Sequence, residues 1–313
     1  MSDSYAEEYM VSAALVKQLR DKTGAGMMDC KRALVENNGD MQAAEDHLRK
    51  KGLMDAAKKS SRPTADGLVA ITTSADEKSA AIVEVNSETD FVARNDKFQE
   101  LVREIANIAL VTDDIMDAKT TTGAPLRGEM DTLISLVGEN ISFRRSQAVR
   151  VESGVVSTYV HGAICPEMGK IGVLVALETQ REFDSSKLNE FGRKIAMHIT
   201  AANPTYLCQC CVPSEVIAKE KEIAIAQAVE LGKPRDIAEK IADGRIRKFY
   251  EECVLLDQLF AIDGKTKVSD AIAAFNKDSG YDVKITGFTK FVLGEGIEKA
   301  ETNFAEEVAS FIK

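Results

Sequence analysis

Two β-rich runs followed by an amphipathic helix occur twice in this chain, and that recurrence restricts the fold more than any other feature. Residues 67–73 and 79–86 are β-rich runs joined by the turn-like Ser74-Ala75-Asp76-Glu77-Lys78. The helix that follows carries Phe98, Leu101, Val102, Ile105 and Ile108 at the spacing of one helical face. The second copy has strands near 147–160 and 170–179, then a helix with Leu188, Phe191, Ile195, Ile199 and Ala202 on one face. A sheet that is apolar on one face needs a helix to cover it, so the pattern predicts an α+β fold with a duplicated strand–strand–helix core of antiparallel sheets. The first core unit is expected over 67–146, and the second over 147–212 and 251–285. His198 shares the apolar face of the second helix and reads as a satisfied core histidine.

Flanking segments have other signatures. Residues 12–50 read as three short helices: Ser12 caps the first, which stops at Gly24; Met27 and Met28 begin the second; Asp40 caps the third. This gives a three-helix module over 1–54 on a linker over 55–66. Residues 213–250 read as a helical hairpin broken at Gly232-Lys233-Pro234, with a stripe of Ile237, Ile241, Ile246 and Phe249 that suits a projecting coiled-coil arm. Val254-Leu255-Leu256 and 283–293 are strand-like, and both are placed to rejoin the second sheet. A C-terminal module over 286–313 ends in a helix with a capping box of Asn303 and Glu306, carrying Phe304, Val308 and Phe311.

Composition excludes several functions. With 40 Lys and Arg against 50 Asp and Glu, the net charge of −10 argues against direct nucleic-acid binding, which draws affinity from cations neutralising phosphates. The cluster Arg49-Lys50-Lys51, Lys58-Lys59 and Arg62 reads as a helix end and solvated linker. No run of 18 apolar residues exists to span a membrane. The acidic start lacks the marks of a signal or transit peptide, so a cytoplasmic protein is expected. The six cysteines then read as free thiols, Cys208-Gln209-Cys210-Cys211 included, because no second pair completes a structural zinc pattern. Neither a metal nor a cofactor is expected. Gly24-Ala25-Gly26 follows a helix and lacks a third glycine, so it is no dinucleotide fingerprint.

The remaining feature is Ser87-Glu88-Thr89-Asp90-Phe91-Val92-Ala93-Arg94-Asn95-Asp96, between a strand-like run and an amphipathic helix. A phenylalanine there is either a hydrophobic staple packing back on its own helix or an anchor offered to a partner. Thr-Asp-Phe-Val-Ala after a Val-Glu-Val-Asn strand resembles the signature of the elongation factor Ts family. So does Thr23-Gly24-Ala25-Gly26-Met27-Met28-Asp29-Cys30-Lys31-Arg32-Ala33-Leu34, whose three-helix setting resembles the ubiquitin-associated fold. Val137-Gly138-Glu139-Asn140-Ile141, Lys194-Ile195-Ala196-Met197-His198, Gly244-Arg245-Ile246-Arg247-Lys248-Phe249 and Gly294-Glu295-Gly296-Ile297-Glu298-Lys299 extend the resemblance over nearly the whole chain.

The resemblance implies a guanine nucleotide exchange factor for elongation factor Tu rather than an enzyme. It implies that Thr89, Asp90, Phe91 and Val92 form the wedge that displaces Mg²⁺ from that GTPase. Arg20, Met27 and Met28 become contacts to its nucleotide-binding domain, and His161-Gly162 contacts to its β-barrel domain. The sequence departs from the family at 163–170, a longer loop than usual, with Lys170 where an Arg is common and Leu259 where a Pro is frequent. A homodimer through the hairpin is left open. Two rival readings are a ribosome- or nucleic-acid-associated adaptor and a thiol or metal protein built on Cys208–Cys211; neither accounts for the 87–96 string.

Overall fold

The computed structural model describes residues 11–297, so the expected C-terminal helix lies outside the described residues. Helix α1 (Ala13–Thr23) starts where the Ser12 side chain accepts the Leu15 N–H and stops at Gly24, whose φ of +71° suits glycine. Helix α2 (Met27–Glu36) follows, and α3 (Met41–Lys59) starts at Asp40, whose carboxylate accepts the Gln42 and Ala43 N–H groups. Val16, Leu19, Cys30, Ala33, Leu34 and Ala44 pack between the three.

The third helix corrects the expected linker. Residues 55–59 are its last turns, and only 60–65 lie between it and the first strand. Small residues explain the extension: Gly52 sits against Ser135, and Ala56 enters the main core. The basic cluster is therefore largely helical, and Lys51 pairs with Asp29 at 2.6 Å.

The chain continues through β1 (Asp66–Thr73), β2 (Ser79–Ser87), the four-residue α4 (Asp90–Ala93), α5 (Asp96–Val111), α6 (Leu126–Val137) and β3 (Ile141–Arg150). Next come β4 (Gly154–His161), the two-residue β5 (Met168–Gly169), β6 (Ile171–Glu178) and α7 (Ser185–Ala202). Helices α8 (Ser214–Glu230), α9 (Arg235–Cys253) and α10 (Val268–Ser279) precede β7 (Lys284–Val292). One sheet has the order β3-β2-β1-β5 and the other β4-β6-β7, with antiparallel pairing throughout. The α+β class with antiparallel sheets thus holds.

Three apolar layers order the core. Phe98, Val102, Ile105, Leu126 and Ile134 from α5 and α6 pack with Leu68, Val83 and Val85 of the first sheet. Leu188, Ile195 and Ile199 of α7, with Val268 of α10, pack with Val155, Val173 and Val175 of the second. Between the sheets, Val69, Ile71 and Ile82 meet Val156, Leu174 and Phe291. Strand β2 is buried on both faces, which is why its sequence is an almost continuous apolar run.

Several expectations fail at boundaries. The stretch 147–160 is not one strand: its first residues end β3 in the first sheet, and 154–160 belong to β4 in the second. A border at 146 therefore cuts β3, and one at 285 cuts β7. Val254-Leu255-Leu256 is no strand and does not rejoin the second sheet; Leu255–Asp257 form a 3-10 turn. In the hairpin, Ala224 and Ala228 pack with Ala238 and Ala242, while Ile237 and Ile241 face outward. Small side chains let the helices approach closely, which displaces the branched residues from the contact.

His198 is fully buried: its Nδ1 accepts the Ala261 N–H at 3.1 Å, so Nε2 carries the proton and donates to Gln258 Oε1 at 2.9 Å. Burial holds its pKa below the usual histidine value despite the Gln258 bond. Nearby, Gly192 brings α7 against β4, where a Cβ would lie 2.1 Å from Ser157 Oγ. Gly192→Ala is expected to lower stability by about 1–3 kcal/mol in denaturant titration, because overpacking outweighs the gain of alanine over glycine in a helix.

Candidate partner-binding site

The segment after β2 is a short helix built to present one side chain. Thr89 is its N-cap residue and is held from outside: its N–H donates to Glu139 Oε2 at 2.9 Å and its Oγ1 to Glu139 Oε1 at 2.7 Å. The next residue back, Glu88, accepts the Asn140 N–H at 2.6 Å, and Asn140 Nδ2 donates to Arg62 O at 2.8 Å. Beyond α4, Asn95 caps α5 by accepting the Lys97 and Phe98 N–H groups, and Gln99 Nε2 donates to Ala93 O at 3.0 Å. Both ends of a four-residue helix are thereby pinned.

Within it the side chains divide sharply. Val92 and Ala93 are buried in the core, Asp90 is exposed, and Phe91 is 79% exposed. Phe91 is therefore no staple: exposing so large a ring forgoes about 2 kcal/mol of burial. Val92, expected among the contact residues, instead anchors the helix from beneath. Glu139 and Asn140 were absent from the sequence-predicted set, although a carboxylate directly after the Gly138 helix stop was the available signal.

The other predicted contacts lie elsewhere. Arg20 is exposed near the end of α1, and Met27 and Met28, 50% and 66% exposed, open α2. His161 is exposed at the end of β4, its Nδ1 3.2 Å from Tyr159 Oη, and Gly162 follows with a φ of +63°. The long loop after them folds back: Ile164 N–H donates to Met168 O at 2.9 Å, and Met168 and Gly169 pair with Ala70 and Val69. Thus Thr89 to Val92 are contiguous, whereas Arg20 with the two methionines and His161 with Gly162 sit on separate elements.

Behind the site, a polar knot joins the sheets. Glu84 of β2 is 0% exposed and lies in the layer between them. It accepts Arg144 Nη1 at 2.8 Å, Arg145 Nε at 2.7 Å and the Gly294 N–H at 2.8 Å. A bulge makes this possible: Glu84 faces Arg145 and Val85 faces Phe143, leaving Arg144 as the extra residue. Gly294 has φ +69°, and a Cβ there would lie 2.5 Å from Ala65 O, so only glycine fits.

The cysteines depart from the free-thiol expectation. Cys208 and Cys210 form a disulfide, and the exposed Cys211 Sγ lies 2.8 Å from Cys208 Sγ. Residues three apart meet because 209–211 wind into a 3-10 turn.

Comparison with known proteins adds to this geometry. The family model described as Elongation factor TS matches residues 88–295. Over 305 residues the chain is 50% identical to Elongation factor Ts of Rhodospirillum centenum, spanning 96% of this chain and 98% of that protein. It is 51% identical over 306 residues to Elongation factor Ts of Brucella anthropi, spanning 97% and 99%. The chain belongs to the elongation factor Ts family. Membership gives it a role in translation elongation. The elongation factor Ts match opens at Glu88, directly before the pinned helix, and runs through β3, β5, the whole second sheet and the hairpin to Glu295. Among the described residues, no helix is long and apolar enough to cross a membrane.

Proposed function

We propose that the chain is a guanine nucleotide exchange factor that binds elongation factor Tu in its GDP form and releases Mg²⁺ and GDP so that GTP can bind. The observation that carries this reading is Phe91, a large apolar side chain held out to solvent on a helix pinned at both ends. A GTPase holds its nucleotide through backbone N–H groups and a bridging Mg²⁺. A partner that binds the Mg²⁺-poor form better weakens the nucleotide, and by linkage the nucleotide weakens that partner equally. Each tenfold weakening requires about 1.4 kcal/mol of differential binding.

In this reading Phe91 enters an apolar slot beside the nucleotide, and Asp90 competes for polar contacts near the metal. Thr89 and Val92 act from within, the first through Glu139 and the second through the core. Arg20, Met27 and Met28 extend the contact over the nucleotide-binding domain, and His161 with Gly162 reach the β-barrel domain. The factor performs no covalent chemistry, needs no cofactor and works in the cytoplasm. The outward Ile223, Val229, Leu231, Ile237 and Ile241 of the hairpin suit self-association of two chains.

The test is release of a fluorescent GDP analogue from elongation factor Tu. Concentration-dependent acceleration by this chain is expected; release at the spontaneous rate at every concentration overturns the proposal.

A further inference from the structure

Cys208, Cys210 and Cys211 stand at the root of the helical hairpin, between the end of α7 and the start of α8. Their sulfur atoms all lie within 4.8 Å of one another. A disulfide needs two sulfurs, and here a third converges on the same point. Thiolate–zinc bonds of about 2.3 Å place three ligand sulfurs about 4 Å apart, so with the disulfide opened the sulfurs need spread by only about an ångström or two to share one ion.

The loop that carries the sulfurs is held in place. Cys211 N–H donates to Cys208 O at 3.0 Å and Val212 N–H to Gln209 O at 3.2 Å, which closes the 3-10 turn. Gln209 Nε2 donates to Asp257 Oδ2 at 2.8 Å. Upstream, Tyr206 N–H donates to Cys253 O at 3.0 Å and Tyr206 O accepts the Leu255 N–H at 2.8 Å, tying the loop to the chain leaving α9. None of these bonds uses a sulfur, so opening the disulfide makes all three available as donors. Cys210 and Cys211 are exposed and Cys208 is half-buried, so a fourth ligand position opens to solvent.

We propose that, with the Cys208–Cys210 bond reduced, the three thiolates bind one soft divalent cation of the zinc class. Soft thiolate sets select such ions over Mg²⁺ or Ca²⁺. Reduction breaks the sulfur–sulfur bond; a thiol reductant supplies two electrons and two protons to the two sulfurs and leaves as its own disulfide. The ion then replaces the protons of the three thiols. Disulfide and metal site are alternative states of the same sulfurs, and a reducing compartment maintains the metal-binding one.

The experiment uses the full chain, reduced with a phosphine and freed of it without oxygen, with all six thiols confirmed by titration. Cd²⁺ is added as an optical probe, and Zn²⁺ is then placed in competition with a chelator. A thiolate-to-metal charge-transfer band saturating at one Cd²⁺ per chain is expected, and Zn²⁺ should displace it. Cys208→Ser, Cys210→Ser and Cys211→Ser should each weaken binding more than about 100-fold, beyond the loss from disturbing an outer partner. Cys253→Ser should bind as the parent does. No band in the fully reduced chain overturns the proposal, as does a band that survives Cys211→Ser unchanged. Because the readout is metal binding, it stands apart from nucleotide exchange.

Discussion

Phe91→Ala is expected to slow stimulated GDP release from elongation factor Tu by tenfold or more while leaving the fold intact. A buried aromatic hot spot contributes about 2 kcal/mol or more across an interface, equivalent to roughly thirtyfold. The free protein gains almost nothing from this ring, which is 79% exposed. Truncation at such a surface position changes stability by less than about 0.5 kcal/mol. Exchange kinetics at saturating and limiting factor, beside a thermal melt, separate the two effects. An unchanged rate in the variant removes Phe91 from the mechanism, and a lowered melting temperature assigns it to the fold.

The second large effect is structural. Glu84→Ala is expected to cost about 3 kcal/mol or more, because it leaves Arg144 and Arg145 without their shared carboxylate and Gly294 N–H without its acceptor. Burial pushes the Glu84 pKa up, but the Gly294, Arg144, Arg145 and Asn86 bonds outweigh it, so the value lies below the usual 4.5. A depressed carboxyl pKa stabilises the fold above the unfolded value, and that contribution is lost as pH falls through the folded value. Denaturant midpoints against pH should therefore drop in acid for the parent, with a smaller acid drop in the variant. Equal midpoints at neutral pH would assign the knot no net stability.

What the sequence revealed follows from which signals are local. Helices α1 and α3 could be read because Ser12 and Asp40 cap them through their own side chains. Helices α6 and α10 passed unnoticed: they start after Pro125 and Lys267, neither of which makes a side-chain cap. The β3–β4 boundary was hidden because Val151, Glu152 and Ser153 alone separate strands of different sheets. At the site, the aromatic of α4 was visible but its direction was not. Whether Phe91 packs inward depends on Glu139, fifty positions away in the chain, gripping Thr89. The meeting of Cys208, Cys210 and Cys211 was hidden for a related reason: it depends on backbone winding that no spacing rule encodes.

The short β5 has a further consequence. Gly169 pairs with Val69 in the first sheet, Ile171 opens β6 in the second, and Lys170 alone separates them. The chain around Lys170 is thus a rivet through both sheets rather than a seam between them. Recombination between relatives at this junction would have to match the edge of β1 on one side and β6 on the other.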